Sequence, residues 1–322
     1  MKHNILYPMG CMLMFGTIVI SSAFTPMRHK TVEMTDVLIP EVSLKQTFAG
    51  EEVDLSRLDM YERYDREMTT FCYAHSLTSL IIKRANRYFP ILDSILAQEG
   101  VPQDFVYLAA IESVLNPCAV SPMKAVGMWQ IMAETGRGLG LEINEFVDER
   151  YHVEKATVAA CTYLKTAYEK YGHWATAAAS YNAGMHRISQ ELEAQQASTS
   201  FDLWLNEETS RYVFRILCLK ELMSNPSKYG YKLTEKQLYQ PVRCHEVTVD
   251  TAIQYLPDFA IAQGITYAQL REFNPWLRTK TLPNPDGKQY VIKIPEKEAL
   301  FLDKRDFITY RDEWIYKNKK RK

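Results

Sequence analysis

The 322-residue sequence predicts a mainly α-helical protein with a small mixed unit near its carboxyl end. Between residues 55 and 225, apolar residues recur at helical spacing, and glycines or prolines interrupt the pattern at intervals. Beyond residue 226 the pattern changes to two strand-like runs that enclose two short helical stretches. Because the helical segment is long enough to bury a core of its own, the two patterns indicate two domains.

The amino-terminal residues 1–23 have the composition of a secretory signal. Lys2 supplies a positive start, residues 12–20 form an apolar run, and small residues suited to cleavage follow. The run is shorter than the about 20 residues of a membrane span, which favours a cleaved signal over a retained anchor. The chain is therefore expected to be exported, and residues 24–54 are expected to form an extended lead-in.

Eight helices are predicted in residues 55–225. They span residues 61–82, 85–98, 103–115, 128–139, 153–171, 175–181, 185–194 and 208–222. Helix-stop residues lie in the gaps between them, namely Gly100, Pro117, Gly140, Gly172 and Gly184. Short connections of this kind predict one packed helical domain.

The carboxyl-terminal third is predicted to contain a linker, a small module and a tail. Residues 226–241 form the linker, and residues 242–295 form a strand-helix-helix-strand module. The strands are expected at 243–249 and 289–294, and the helices at 251–263 and 266–273. Residues 296–322 are predicted to form a terminal helix, with Trp314 as an anchor, and a basic tail.

Glu112 stands in an apolar stripe, where a carboxylate is unexpected. Phe105, Leu108 and Leu115 share its helical face, since the four positions follow one another at helical spacing. Apolar surroundings disfavour the charged form of a carboxyl and raise its pKa, which suits a general acid. The alternative is a glutamate at a frayed helix end that turns to water before Pro117.

Composition excludes several other classes of function. The chain has 38 basic and 39 acidic residues. It therefore lacks the net positive charge that is typical of nucleic-acid-binding proteins. The sequence contains no phosphate-binding glycine loop, no metal-ligand spacing among its histidines and no serine triad. We therefore expect neither a metal nor another cofactor.

Residues around and after Glu112 form four ordered blocks. The first begins with Glu112 and Ser113, Ala-Val-Gly-Met-Trp-Gln-Ile-Met occupies 125–132, Thr-Gly occupies 135–136, and Tyr-Asn-Ala-Gly occupies 181–184. Over residues 77–222 this order resembles the lytic transglycosylases of the soluble-lytic-transglycosylase, or goose-lysozyme-like, superfamily. The resemblance is to the membrane-bound lytic murein transglycosylase D type in particular. It implies a lysozyme-like helical domain that acts on peptidoglycan glycan strands in the periplasm or cell envelope.

The resemblance also implies a mechanism and a set of site residues. Glu112 would act as acid and then as base, cleaving the MurNAc-β-1,4-GlcNAc bond without water to leave a 1,6-anhydro end. The hydroxyl of Tyr181 would lie near Glu112. The residues that would contact substrate by this resemblance are Ser121, Met128, Gln130, Tyr181 and Asn182. Ser121 also fits a turn hydroxyl, and Met128 also fits a core position.

The segment after residue 242 resembles a LysM module, which binds N-acetylglucosamine chains. The resemblance lies in the phrases at 270–277 and 290–295, and it departs from the pattern at the loop residues Val249, Asp250 and Thr251. Glycan binding and a purely structural appendage both remain open for this module. The basic tail would add weak attraction to an anionic envelope surface, which fits peripheral association with membrane or cell wall.

Two other functions compete with the transglycosylase. A goose-type lysozyme would hydrolyse the same bond with a second carboxylate, such as Asp148, activating water. Asp148 and Glu149 also fit a structural role as ion partners of Arg150, and Glu134 fits a helix surface. A catalytically silent peptidoglycan-binding scaffold is the third possibility, although a binder has no need of a buried acid.

Overall fold

The structure is a computed structural model that describes residues 39–304 and 306–317. The predicted signal at 1–23 and the first part of the lead-in lie outside the described residues. The rest of the lead-in forms an antiparallel hairpin of β1 (Lys45–Phe48) and β2 (Glu51–Asp54). In the described ranges, no helix has both the length and the apolar character needed to cross a membrane.

The hairpin is followed by a helical domain, which confirms the mainly α fold class. Its helices are α1 (Leu58–Tyr73), α2 (His75–Gln98), α3 (Phe105–Ser113), α4 (Ala133–Gly138), α5 (Val153–Tyr171), α6 (Trp174–Ala183), α7 (Met185–Ala194) and α8 (Glu207–Ser224). Helix α3 packs against α2 and α8, and α8 also packs against α1 and α6. The short α3 is therefore enclosed by longer helices.

The first helix break lies at Ala74 and not at residues 83–84, where the sequence suggested it. Ala74 leaves the helical region with ψ 57°, and helix α2 then continues through Pro90. The carbonyl of Phe71 accepts hydrogen bonds from the hydroxyls of Thr78 and Tyr231, each at 2.8 Å. These side chains satisfy a backbone group at the end of α1, so the chain can turn there without an unpaired carbonyl.

The prediction of a helix at 128–139 is wrong over the first half of that range. Only α4, residues Ala133–Gly138, is helical, and residues 128–132 form an irregular loop. Gln130 has a φ of 49° and Gly127 has a φ of 82°, both in the left-handed region, which an α-helix cannot accommodate. A specific loop conformation therefore replaces the helix beside Glu112.

The carboxyl-terminal module has the predicted βααβ order. Strands β3 (Cys244–Val249) and β4 (Tyr290–Pro295) pair antiparallel, with α9 (Leu256–Ala262) and α10 (Tyr267–Phe273) between them. Its core includes the fully buried Leu270 of α10. The first helix is shorter than predicted, since Thr251 to Tyr255 are not helical.

The module packs directly on the helical domain. The backbone amide of Asp148 donates to the carbonyl of Trp276 at 2.9 Å, and the amide of Arg278 donates to the carbonyl of Phe146 at 2.8 Å. Lys293 of β4 forms an ion pair with Glu154 of α5. Helical domain and module thus belong to one compact unit.

The terminal helix predicted at 296–322 is wrong for the described part of that segment. Three-residue 3-10 turns at 298–300, 302–304 and 312–314 stand in its place. Residues 306–317 run along the helical domain, where the side chain of Asn86 exchanges hydrogen bonds with the backbone of Ile308 and Tyr310. Trp314 is fully buried and donates its indole N–H to the carbonyl of Met223 at 3.0 Å. Tertiary partners therefore satisfy a backbone that would otherwise need helical bonds.

Candidate functional site

Glu112 lies in the last turn of α3, and every other residue of that helix is buried. Because α3 is apolar on all sides and not along one stripe, it is a central helix whose end carries a single acidic side chain. Val114 and Leu115 then adopt positive φ values of 57° and 54°, which end the helix abruptly. Arg84 donates to the carbonyl of Val114 at 2.9 Å and holds this turn.

The carboxyl of Glu112 has an unusual acidity. Its removal from water raises the pKa of Glu112 from 4.5 to about 7. A hydrogen bond from Tyr212 and the charge of Arg215 oppose this rise in pKa, and the charge of Glu208 adds to it. A carboxyl with a pKa near neutrality can both donate and accept a proton at physiological pH.

Tyr212 of α8 donates its phenolic hydrogen to Oε1 of Glu112. The tyrosine is buried, so this bond fixes the carboxyl from the protein side. Sequence reasoning did not identify Tyr212, since a tyrosine on a buried helix face gives no signal of its partner. Only the packing of α8 on α3 brings the two side chains together.

The loop between α3 and α4, residues 114–132, is fixed by Gly127 and Arg150. A Cβ on Gly127 would lie 1.9 Å from the backbone oxygen of Arg150, so only glycine fits. The guanidinium of Arg150 binds both oxygens of Asp148, at 3.0 and 2.7 Å. It also donates to the carbonyls of Lys124 and Ile131, each at 3.2 Å. Asp148 therefore has a structural role in this loop.

Three of the predicted substrate residues lie in this loop, in different settings. The hydroxyl of Ser121 accepts the amide of Ala125 at 3.0 Å and closes a turn. Gln130 is partly exposed, and its amide nitrogen donates to the carbonyl of Gly127 at 2.8 Å. Met128 is only 1 % exposed, which favours the core position over the predicted contact with substrate. Its side chain fills the core beneath the loop.

Tyr181, at the end of α6, supports the same loop. Its hydroxyl donates to the carbonyl of Trp129 at 2.8 Å, and the hydrogen bond to Glu112 comes from Tyr212. The negative charge of Glu112 still contributes, after burial, to raising the pKa of Tyr181. Tyr181 is therefore close enough to Glu112 for the two groups to interact electrostatically, although the hydroxyl of Tyr181 donates its hydrogen bond to Trp129.

Asn182 links the end of α6 to the start of α8. Its side-chain oxygen accepts the hydroxyl of Thr209 at 2.8 Å, and its nitrogen contacts Glu208 at 3.4 Å. Both Asn182 and Gln130 are partly exposed, and their contact with substrate stays a prediction.

The remaining acidic residues considered from sequence lie in other settings. Glu149 also has a structural role, but its ion partner is Lys155 and not Arg150. Glu134 is exposed at the surface of α4. In the described ranges, no group of three or more histidine, cysteine, aspartate or glutamate side chains is arranged to hold a metal ion.

Comparison with known families identifies both parts of the chain. The Transglycosylase SLT domain family matches residues 91–203. This chain carries a transglycosylase SLT domain. The Soluble lytic transglycosylase C-terminal LysM-like domain family matches residues 245–298, which contain the βααβ module. The SLT match includes Glu112, Gln130 and Asn182 but ends before Tyr212.

Individual proteins are also similar to parts of this chain. The chain is homologous to Membrane-bound lytic murein transglycosylase D of Escherichia coli K12, at 28% identity over 260 residues. That alignment covers 78% of this chain and 56% of the relative, so the SLT-domain chain matches about half of the relative's length. A Putative tributyltin chloride resistance protein of Alteromonas sp. is 26% identical over 121 residues, covering 37% of this chain and 58% of the relative.

Two solved structures are also similar to parts of the SLT-domain chain. One is an inactive mutant of lytic transglycosylase Slt from Pseudomonas aeruginosa, with a TM-score of 0.35 and 24% identity, covering 40% of this chain and 22% of that one. The other is the 70 kDa soluble lytic transglycosylase of Escherichia coli, with a TM-score of 0.35 and 24% identity, covering 45% and 24% of the two chains.

Proposed function

We propose that this protein is a peptidoglycan lytic transglycosylase of the cell envelope, with Glu112 as its catalytic acid and base. The observation that carries the proposal is the carboxyl of Glu112, which is withdrawn from water, has a pKa near 7 and is held by Tyr212. The SLT-domain match and the homology to a lytic murein transglycosylase supply the substrate class.

In the first step, Glu112 donates its proton to the oxygen of the bond between N-acetylmuramic acid and N-acetylglucosamine. The bond from that oxygen to C1 breaks, and the electron pair leaves with the oxygen. The N-acetyl group of the muramic acid stabilises the charge that develops at C1. Near pH 7 about half of the Glu112 carboxyls carry the required proton, because the pKa of Glu112 is about 7.

In the second step, the ionised Glu112 takes the proton of the C6 hydroxyl. The C6 oxygen attacks C1 and closes a 1,6-anhydro ring, so Glu112 regains its proton and no water is consumed. Between the steps the carboxylate is stabilised by the hydrogen bond from Tyr212 and by the charge of Arg215.

Substrate contacts are assigned to groups at the front of the site. Gln130 and Asn182 have partly exposed amides that can bind the sugar hydroxyl and N-acetyl groups. Ser121 accepts one backbone hydrogen bond through its hydroxyl, which leaves the hydroxyl proton available to substrate. Tyr181 supports the loop through Trp129 and would act on substrate only indirectly.

A goose-type hydrolase is the main alternative, and it requires a second carboxylate for water. Asp148 is poorly suited to that role, since both of its oxygens bind Arg150. Glu208 is the carboxylate that could activate water in a hydrolase. It is exposed, and it is close enough to Glu112 for its charge to raise the pKa of Glu112. The third candidate is a catalytically silent binding scaffold. Binding alone does not require a carboxyl whose pKa is about 7, as that of Glu112 is.

Mass spectrometry of fragments released from purified peptidoglycan separates the three functions. The wild-type protein is compared with Glu112→Gln, Glu208→Gln and the exposed control Glu134→Gln. The proposal expects fragments about 18 Da lighter than hydrolysis products, since ring closure replaces water. Glu112→Gln should release none, whereas the other two variants should release anhydro fragments. Reducing ends that disappear in Glu208→Gln would establish the hydrolase, and no fragments from the wild type would favour the scaffold.

A further inference from the structure

A groove of about 460 Å³ lies between α1 and α8, and its lining includes Glu208 and Arg215, whose charges act on Glu112. We call it the α1–α8 groove. Its apolar wall includes Phe71 and Leu77. Its polar wall contains three carboxylates, of Glu67, Glu207 and Glu208, and two guanidiniums, of Arg211 and Arg215. The mechanism assigns no ligand to this space.

The two arginines of the α1–α8 groove differ in their partners. Arg211 binds the buried carboxylate of Glu67, with its Nε 2.5 Å from Oε1, and also contacts Glu207 at 3.5 Å. Arg215 forms no ion pair with any residue in the described part of the chain. Its one hydrogen bond is a long contact of 3.5 Å from Nη2 to the carbonyl of Ile111. Arg211 is therefore neutralised within the protein, whereas the guanidinium of Arg215 is free to bind an anion.

Arg215 is also close to the reacting groups. Ile111, whose carbonyl it contacts, directly precedes Glu112, and the charge of Arg215 lowers the pKa of that acid. On α8, Arg215 follows Tyr212 by three residues, which is nearly one helical turn. An anionic group bound by Arg215 would therefore lie next to the bond that Glu112 protonates.

We propose that Arg215 and the α1–α8 groove bind a carboxylate of the peptide that peptidoglycan carries on N-acetylmuramic acid. This inference rests on the proposed function and makes Arg215 a specificity-determining residue. The peptide is attached to the muramic acid whose C1 reacts, so its carboxylates are the substrate anions nearest to the cleaved bond. A planar guanidinium binds a carboxylate through two parallel hydrogen bonds, and Phe71 and Leu77 can contact the methyl groups of the peptide.

The test compares two forms of soluble, peptide-bearing glycan chains. One form is native, and in the other the peptide carboxylates are converted to methylamides by carbodiimide coupling with methylamine. The values of kcat/KM are measured for the wild type, Arg215→Gln, Arg215→Lys and the exposed control Arg243→Gln, which lies in the module. Thermal melting of each variant establishes that it is folded.

The wild type is expected to prefer the native form by about tenfold or more, the loss typical of one hydrogen bond to a charged group. Arg215→Gln should lose that preference, so that its kcat/KM is the same on both forms. Both values should lie below that of the wild type on the amidated form, because the charge of Arg215 also stabilises the ionised Glu112. Arg215→Lys should keep part of the preference because it keeps the charge, and Arg243→Gln should keep all of it. The difference should appear in KM and not in kcat.

Two other outcomes have distinct meanings. If Arg215→Gln loses the same factor on both forms, Arg215 acts only on Glu112, and the inference is overturned while the proposed function stands. A parallel shift of the pH profile on both forms would accompany that result, since Arg215 lowers the pKa of Glu112. If the folded wild type cleaves neither form, the proposed function itself fails.

Discussion

The hydroxyl of Tyr212 donates a hydrogen bond to the carboxyl of Glu112, although the two residues are 100 positions apart in the sequence. The bond joins the end of the central helix α3 to the middle of α8. It stabilises the ionised form of the acid, whereas burial destabilises that form. The balance between these two effects sets the pKa at which the site works.

Replacing Tyr212 with phenylalanine should change the pH dependence of the enzyme. The hydrogen bond from Tyr212 lowers the pKa of Glu112, so its loss should raise this pKa above about 7. The alkaline limb of the pH profile of kcat/KM should therefore move to higher pH by about 1–2 units. The maximal rate should fall about tenfold, because the acid is weaker and less well oriented. Tyr229→Phe is the matched control, since it removes a tyrosine–glutamate bond, to Glu221, at the far end of α8. An unchanged limb in Tyr212→Phe would contradict the role given to this bond.

The partly buried Glu112 should make the protein less stable as the pH rises. The pKa of Glu112 is about 7 in the folded state against 4.5 when unperturbed, so the folded state binds the proton more tightly. Its contribution to stability is present in full below pH 4.5 and is lost as the pH rises through 7. The free energy of unfolding should fall by up to about 3 kcal/mol over this range from this group alone.

Glu112→Gln should remove this dependence. Denaturant unfolding at pH 8 should give the variant a higher free energy of unfolding than the wild type, by up to about 3 kcal/mol, and at pH 4.5 the two should be similar. Glu134→Gln is the control, because Glu134 is exposed. A variant that is no more stable than the wild type at pH 8 would show that burial does not disfavour the charge of Glu112.

The loop opposite Glu112 gives a second kind of prediction, based on backbone geometry. Gly127→Ala should destabilise the protein by about 3 kcal/mol or more and abolish cleavage, since the new Cβ would overlap the carbonyl of Arg150 at a φ of 82°. Gly138→Ala is the control, because no atom lies within 4 Å of its Cβ position. That change lies in helix α4 and should be neutral or slightly stabilising. Equal stability of the two variants, measured by denaturant unfolding, would contradict the packing of this loop.

The sequence predicted helices well where local signals mark their ends. Helix α5 ends before Gly172, which adopts a left-handed φ of 64°, and its range of 153–171 agrees with the prediction. Helix α7 likewise agrees over 185–194 and begins directly after Gly184. The break at Ala74 was missed because it depends on hydroxyls contributed by Thr78 and by Tyr231, a distant residue. Local patterns contain no information on such partners.

The same holds for the site: residues with a local signal could be predicted from the sequence, and those defined by distant contacts could not. An acid among apolar residues marks Glu112 in the sequence, and the pKa near 7 agrees with that interpretation. Met128 was assigned to substrate by the family resemblance alone, and its burial agrees with the core position that was the alternative. Tyr212 and Arg215 could not be found, since their role comes from the packing of α8 on α3 and not from a local pattern.

The segment 306–317 provides the last prediction, because an irregular chain holds its place there by side-chain packing. Trp314 is fully buried against Phe89, with ring centroids 5.7 Å apart, and its indole N–H bonds to Met223. Trp314→Ala should lower the free energy of unfolding by about 3–5 kcal/mol through the cavity and the lost hydrogen bond. Trp204→Ala is the matched control: Trp204 is 83% exposed, and its loss should change stability by no more than about 0.5 kcal/mol. Denaturant unfolding of both variants measures the difference. Equal stabilities would mean that the segment rests on the helical domain without contributing to its core, and a large loss in Trp314→Ala alone would make it part of that core.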